Sequence, residues 1–310
     1  MAARARRPVS VSRWAGTAVL AAGLTVAVTA PSAAASDARP AATGPAGVQA
    51  RAAAIEVAST GQVLWSRDLN TEVPMASITK VMTALVVIQA GELGRKIRVT
   101  AAAEDYGRSF DPSQAGFRPG DVLTTRQVLE GLLLPSGSDA AYLLATTYGP
   151  GWPAFVRKMN AEARRLRLTR THYANFDGLP WPTEHSTYST AHDLILLAKA
   201  AMKLPAFRQI VAQRSHVIAA TAQHRRYYWT NTNLLFGSYP GVLGIKTGFT
   251  QGAGYCLLFA ARRYGTELIG IVLDSTRTDP QARFTAAARM LSWGFDVARP
   301  QSSGVTEASR

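Results

Sequence analysis

The sequence predicts an α+β fold: an antiparallel sheet built from both ends of the chain and flanked by helices, with an all-helical lobe inserted in the middle. Three observations predict it. Short runs of strand character stand early, at 53–58 and 62–67, and return after residue 214, at 216–220, 226–231, 255–262 and 267–274. Between them lies a block whose apolar residues recur at helical spacing. At the head of that block, residues 74–91 read as a helix with no polar face, and a helix apolar all round belongs at the centre of a domain. Strands from the two ends pair into one sheet, helices cover it, and a site is expected in the cleft between the lobes.

Taken in order, the chain opens on Arg4, Arg6, Arg7 and Arg13, then an apolar Ala-rich run from Trp14 to Ala30, then Ala33-Ala34-Ala35. That is the pattern of an export signal over 1–36, cleaved after the small residues or retained as an anchor. Residues 37–49, rich in Ala, Pro and Gly, read as a disordered linker. The folded domain is expected over 50–298 and a polar tail over 299–310. Ala53–Ala58 and Gln62–Arg67, separated by Ser-Thr-Gly, form a hairpin. Pro74 and Ser77 mark the start of the central helix and Gly91 its end. Ile97 to Phe117 reads as irregular loop with short strands. Helices follow over 125–134, capped by Thr124, over 140–148, over 152–166 and over 190–202, ahead of Pro205. Arg283 to Phe295 closes the domain as a helix.

The central helix carries the first chemical signal. Ser77 and Lys80 stand three residues apart, on one face of its first turn and within side-chain reach. The chain has 28 Arg and only 6 Lys, so positive charge alone is written as Arg. Arg cannot give up its proton near neutral pH, whereas a buried Lys can. A Lys kept beside a Ser is a candidate base for a nucleophilic hydroxyl. By itself Ser-x-x-Lys is a weak signal, equally met as a solvated surface pair.

Composition narrows the alternatives. The net charge of +14 favours anionic surroundings such as envelope polymers or a membrane surface, unless it only reflects arginine-rich coding. No basic helix with interleaved aromatics and no nucleic-acid motif is present, so nucleic acid is not an expected partner. Cys256, the one cysteine, excludes an internal disulfide and reads as a small buried hydrophobe. The five histidines show no helical pair with an adjacent Glu, so neither a metal nor a cofactor is expected.

Two further motifs look chemical. Leu134-Pro135-Ser136-Gly137-Ser138-Asp139 joins two helices, where a turn can push the Ser136 hydroxyl into the cleft; an ordinary turn capped by Asp139 is the competing reading. Gly244-Ile245-Lys246-Thr247-Gly248-Phe249 offers a Lys and a Thr beside glycines that let a ligand approach the backbone, a setting for a carboxylate. In the order Ser-x-x-Lys, Ser-Gly-Ser, Lys-Thr-Gly, the three become specific. Here the chain resembles the penicillin-recognising serine enzymes, and among them the low-mass D-alanyl-D-alanine carboxypeptidases. Residues 74–85, 173–180 (Tyr-Ala-Asn-Phe-Asp-Gly-Leu-Pro), 239–250 and Trp293-Gly294-Phe295 all read like that family, over roughly residues 50 to 298.

The resemblance implies a β-lactamase/transpeptidase-like fold and a serine peptidase. It implies that Ser77 is the nucleophile, acylated by a peptidoglycan stem peptide ending in D-Ala-D-Ala, and that β-lactams acylate the same serine. Lys80 would be the base, Ser136 a proton relay to the leaving amine, and Lys246 the cation supporting that relay. The N–H groups of Ser77 and Phe249 would form the oxyanion hole, and Thr247 and Gly248 would border the substrate's terminal carboxylate. Arg283, twelve residues before Phe295, matches the place of a carboxylate-binding Arg, or is a solvated helix residue. The family's middle motif usually ends in Asn; here it ends in Ser138, expected at the substrate. Two alternatives stand beside this reading. A β-lactamase would need a Glu to activate water, and the nearby Glu162 and Glu184 lack the Glu-x-x-x-Asn setting. A peptidoglycan-binding homologue without turnover is the other. The resemblance also implies an exported protein, at the cell envelope or secreted. The tail is not expected to supply the extra β-rich domain or membrane-binding helix that some family members carry.

Overall fold

The computed structural model describes residues 44–110 and 113–299. The export signal expected over 1–36, the linker up to residue 43 and the tail beyond residue 299 lie outside the described residues. From Gly44 on, the segment read as linker is docked. Pro45 and Val48 are buried, and the Arg67 guanidinium donates to Val48 O at 2.8 Å. Among the described residues no helix is long and apolar enough to cross a membrane.

The sheet has five antiparallel strands from both ends of the chain, in the order β2 (Val63–Arg67), β1 (Ala52–Val57), β11 (Thr266–Leu273), β10 (Gly254–Arg263) and β9 (Val242–Thr250). The ends meet where Ala54 pairs with Ile271. Every residue of β1 is buried because both sheet faces are covered. Alternate residues go to opposite cores: Ala53, Ile55 and Val57 pack with Phe284, Met290 and Phe295 of α9 (Ala282–Ala298). Ala52 and Ala54 belong to the larger core shared with α1 (Lys80–Gln89) and α6 (Ala191–Met202). Eight of the ten residues of α1 are buried, as an unbroken apolar run requires.

The inserted lobe holds α2 (Ala101–Phe110), α3 (Thr125–Leu133), α4 (Ser138–Tyr148) and α5 (Trp152–Arg165). Thr124 caps α3 in a reciprocal box with Gln127, as its position before the helix predicts. Three two-stranded ribbons accompany these helices: β3 (Val73–Pro74) with β6 (Tyr188–Ser189), β4 (Lys96–Arg98) with β5 (Val122–Thr124), and β7 (Ser215–Ile218) with β8 (Tyr227–Thr230). α7 (Pro205–Val211) and the short α8 (Leu235–Ser238) complete the chain.

Three expectations need correction. The 97–117 stretch, read as irregular, contains α2, which opens on Ala101-Ala102-Ala103 with Thr100 Oγ1 accepting from Ala103 N–H at 3.2 Å. Pro205 does not merely stop α6; it begins α7, at the first position, where a missing N–H costs nothing. The 216–220 and 226–231 strands form a ribbon of their own, not part of the main sheet. Trp229 holds it to the lobe by donating to Ala115 O at 2.8 Å.

Candidate active site

Ser77 was expected in the first turn of an α-helix. It sits instead in a 3₁₀ turn, Ala76–Thr79, that feeds into α1 at Lys80. The chain enters the turn through Ala76 at φ +48°, a left-handed conformation uncommon for a residue with a Cβ. The predicted pairing holds: Lys80 Nζ donates to Ser77 Oγ at 2.8 Å. Lys80 is completely buried, the environment a general-base lysine needs.

The second pair comes from the lobe and the sheet. Ser136 lies between α3 and α4 at φ +69°, another strained position of the kind that gathers at functional sites. Lys246, on β9, donates from Nζ to Ser136 Oγ at 2.8 Å and to Thr247 O at 3.0 Å. The loop is fixed from behind by Asp139, whose carboxylate accepts the N–H groups of Ala115, Gly116, Phe117 and Ala140 at 2.8–3.2 Å. Burial pushes that carboxyl above its ordinary range while those donors pull the other way.

Two glycines allow the parts to meet. A Cβ on Gly248 would lie 3.2 Å from Ser77 N and 3.1 Å from Met75 O, so any side chain there would push β9 and the nucleophile turn apart by a few tenths of an ångström. Gly178, at φ +85°, presses on Ala76 O from the other side, where a Cβ would overlap that oxygen. The loop carrying Gly178 is held by Asn175, which donates from Nδ2 to Leu179 O (2.8 Å) and Trp181 O (2.7 Å) and accepts from Gly178 N–H (2.7 Å). Asn175→Ala leaves these buried groups unpaired and is expected to cost about 2–4 kcal/mol, read from a denaturant melt. An unchanged midpoint would show that the loop is positioned by other means.

Together these elements enclose a cavity of about 400 Å³. Ser77, Ser136, Thr247, Phe249 and Arg283 line it. Lys80, Lys246 and Gly248 are buried next to it, each against one of its lining residues. Arg283 is therefore a residue of the cavity, not a solvated one. Its guanidinium donates to Gly248 O at 3.0 Å and stacks on Tyr255 at 4.9 Å, and burial holds its pKa below the usual arginine value. Thr247 Oγ1 shares a hydrogen bond of 2.6 Å with Thr232 Oγ1. A larger concavity, about 640 Å³, lies between residues 45–47 and α9, but no Ser–Lys pair opens on it. Chemistry, not size, selects the site.

A family model described as D-alanyl-D-alanine carboxypeptidase, peptidase S11, matches residues 39–277. The chain belongs to this family. Its serine-type peptidase chemistry agrees with the two Ser–Lys pairs. The D-alanyl-D-alanine carboxypeptidase of Streptomyces sp. strain K15 is 40% identical over 248 residues, covering 76% of this chain and 84% of the relative. One from Mycobacterium tuberculosis is 38% identical over 245 residues, covering 79% and 81%. Among solved structures, the Streptomyces K15 DD-transpeptidase superposes with a TM-score of 0.76 at 38% identity, covering 82% of this chain and 99% of that one.

Ser138, the first residue of α4, is wholly buried, as Lys80 is, and its N–H donates to Ser113 O at 2.9 Å. Ser113 itself lines the cavity. Sequence reasoning missed Ser113, Thr232, Glu184 and Gln251 as lining residues. Leu179 and Pro180 also line it, and the 173–180 segment already flagged them. Ser113 and Thr232 carry no local signal. Glu184 had been weighed only as a water-activating base.

Proposed function

We propose that this chain removes the terminal D-alanine from peptidoglycan stem peptides ending in D-Ala-D-Ala, through an acyl-enzyme on Ser77. The observation that carries the reading is the pair of Lys–Ser contacts, each 2.8 Å, opening on one cavity that also holds Thr247 and Arg283. Lys80 at that distance takes the hydroxyl proton as Ser77 attacks the penultimate carbonyl. The N–H groups of Ser77 and Phe249 receive the developing oxyanion, an interaction favoured by the close approach of Gly248 to Ser77. Ser136, hydrogen-bonded to Lys246, passes a proton to the leaving amine. Thr247 and Arg283 bind the terminal carboxylate. β-Lactams, which also join an acylating amide to a carboxylate, acylate the same serine. The enzyme works outside the cytoplasmic membrane, exported through the signal of residues 1–36, and its positive charge favours peripheral contact with anionic envelope polymers.

The test is release of D-alanine from a peptide ending in D-Ala-D-Ala, compared with release of D-alaninamide from the same peptide amidated at its C-terminus. Wild type is expected to lose most of its activity on the amide, by about 10–100-fold for one charge-assisted contact. Arg283→Ala is expected to discriminate much less between the two. Equal discrimination by both proteins would remove Arg283 from carboxylate recognition, and no D-alanine from the free-acid peptide would overturn the reading itself.

A further inference from the structure

The charges around the cavity are uneven. Lys246 and Arg283 border it as basic side chains, and a substrate ending in a carboxylate gives them work. Glu184 is the acidic side chain among the described residues that line the cavity, and the reading above leaves it unused. Its Oε2 is buried and accepts no hydrogen bond from any described group. A buried carboxylate oxygen without a donor is costly, so one that persists calls for an explanation.

Its position is built. Thr183 and Ser186 close a tight turn around it, their hydroxyls 2.6 Å apart, with Ser186 N–H donating to Thr183 O at 3.2 Å. The carboxylate packs on Gly252 in the β9–β10 turn, where any Cβ would overlap it. Arg277 reaches the same turn but is engaged elsewhere: it donates to Gln251 O at 2.8 Å and pairs with Asp274 at 3.2 Å. Glu184 Oε2 is thus left without a donor, and the residue lies beside Thr250 and Gln251 on the wall of the cavity.

The direction of the substrate says what meets it. If Thr247 takes the terminal carboxylate and Phe249 N–H the scissile carbonyl, the donor runs along β9 toward Thr250 and Gln251. From Phe249 to Gln251 is about 7 Å of strand, at roughly 3.3 Å per residue. That is the length of one or two extended residues, which brings the residue just before the D-Ala-D-Ala pair alongside Glu184. We propose that Glu184 is a specificity residue that binds an ammonium group carried by the acyl donor immediately upstream of D-Ala-D-Ala. An ammonium gives such a carboxylate a charge-assisted hydrogen bond, stronger than a neutral one. The proposal rests on the carboxypeptidase reading for the direction of the donor.

Binding is measured by calorimetry on the full chain carrying Ser77→Ala, which cannot turn over. The ligands are N-acetyl-Lys-D-Ala-D-Ala and the same peptide with its side-chain amine acetylated. The free amine is expected to bind roughly tenfold more tightly, as for a single charge-assisted hydrogen bond. That preference disappears in Ser77→Ala/Glu184→Gln and fades with added salt. The thermal midpoint of the second variant, unchanged, shows that the fold survives. A preference that persists without Glu184, or no preference with it, overturns the proposal. So does a Glu184→Gln enzyme that binds both peptides normally but accumulates acyl-enzyme from both, which makes Glu184 a base for the deacylating water. If wild type releases no D-alanine while the amine preference depends on Glu184, the cation site stands and the carboxypeptidase reading fails.

Discussion

Ser77→Ala is expected to abolish covalent labelling by a fluorescent penicillin, and in wild type the adduct is expected to map to Ser77 alone. The expectation is not trivial, because the cavity holds two serines with a lysine amine 2.8 Å away. What separates them is the rest of their surroundings. Ser77 stands at the head of a helix, where backbone N–H groups are unsatisfied within the helix itself and favour developing negative charge. Gly248 brings β9 against its backbone nitrogen. Ser136 also precedes a helix, but the leading N–H groups there, of Gly137 and Ser138, already donate to Gly131 O and Ser113 O, and the amine beside it is shared with Thr247 O. A tetrahedral oxyanion at Ser77 therefore has donors, whereas one at Ser136 has a competitor. Peptide mass mapping decides: an adduct on Ser136, or labelling that survives Ser77→Ala, would reverse the assignment of nucleophile and relay.

Much of this site was legible because its pieces lie on short local signals. Ser-x-x-Lys brings its own geometry, since three residues on a helical or 3₁₀ turn return to the same side. Thr124, read as the cap of the helix that follows it, likewise reports its local structure. What stayed hidden depends on contacts distant in sequence. Ser113 reaches the cavity because Ser138, 25 positions later, donates to its carbonyl, and Asp139 grips the three residues at 115–117. Thr232 becomes a wall through its bond to Thr247. α2 escaped because its inner face is thin: Ala103 is buried, Tyr106 half-buried and the exposed side carries Asp105 and Arg108. Such a face is held by its neighbours, here Tyr142 stacked on Tyr106 at 5.0 Å, and not by its own periodicity.

Lys80→Arg is expected to reduce acylation, by penicillin and by peptide alike, by about 10²–10⁴-fold, the usual worth of a general base. Arg preserves the charge and can still donate to Ser77 Oγ, but it does not release a proton near neutral pH. A purely electrostatic role for Lys80 would survive the exchange; a base would not. Because Lys80 is wholly buried, the larger guanidinium also has to find room. Two controls therefore accompany it: the melting midpoint, and the matching change Lys246→Arg. Lys246 is as buried as Lys80 and is paired to its serine at the same distance, so the steric demand is alike. Its proposed role is to support Ser136 as a cation, which Arg can fill. Lys246→Arg should then retain far more acylation than Lys80→Arg. Equal losses would mean that crowding, not proton transfer, explains both, and near-normal acylation by a folded Lys80→Arg enzyme would hand the base to another group.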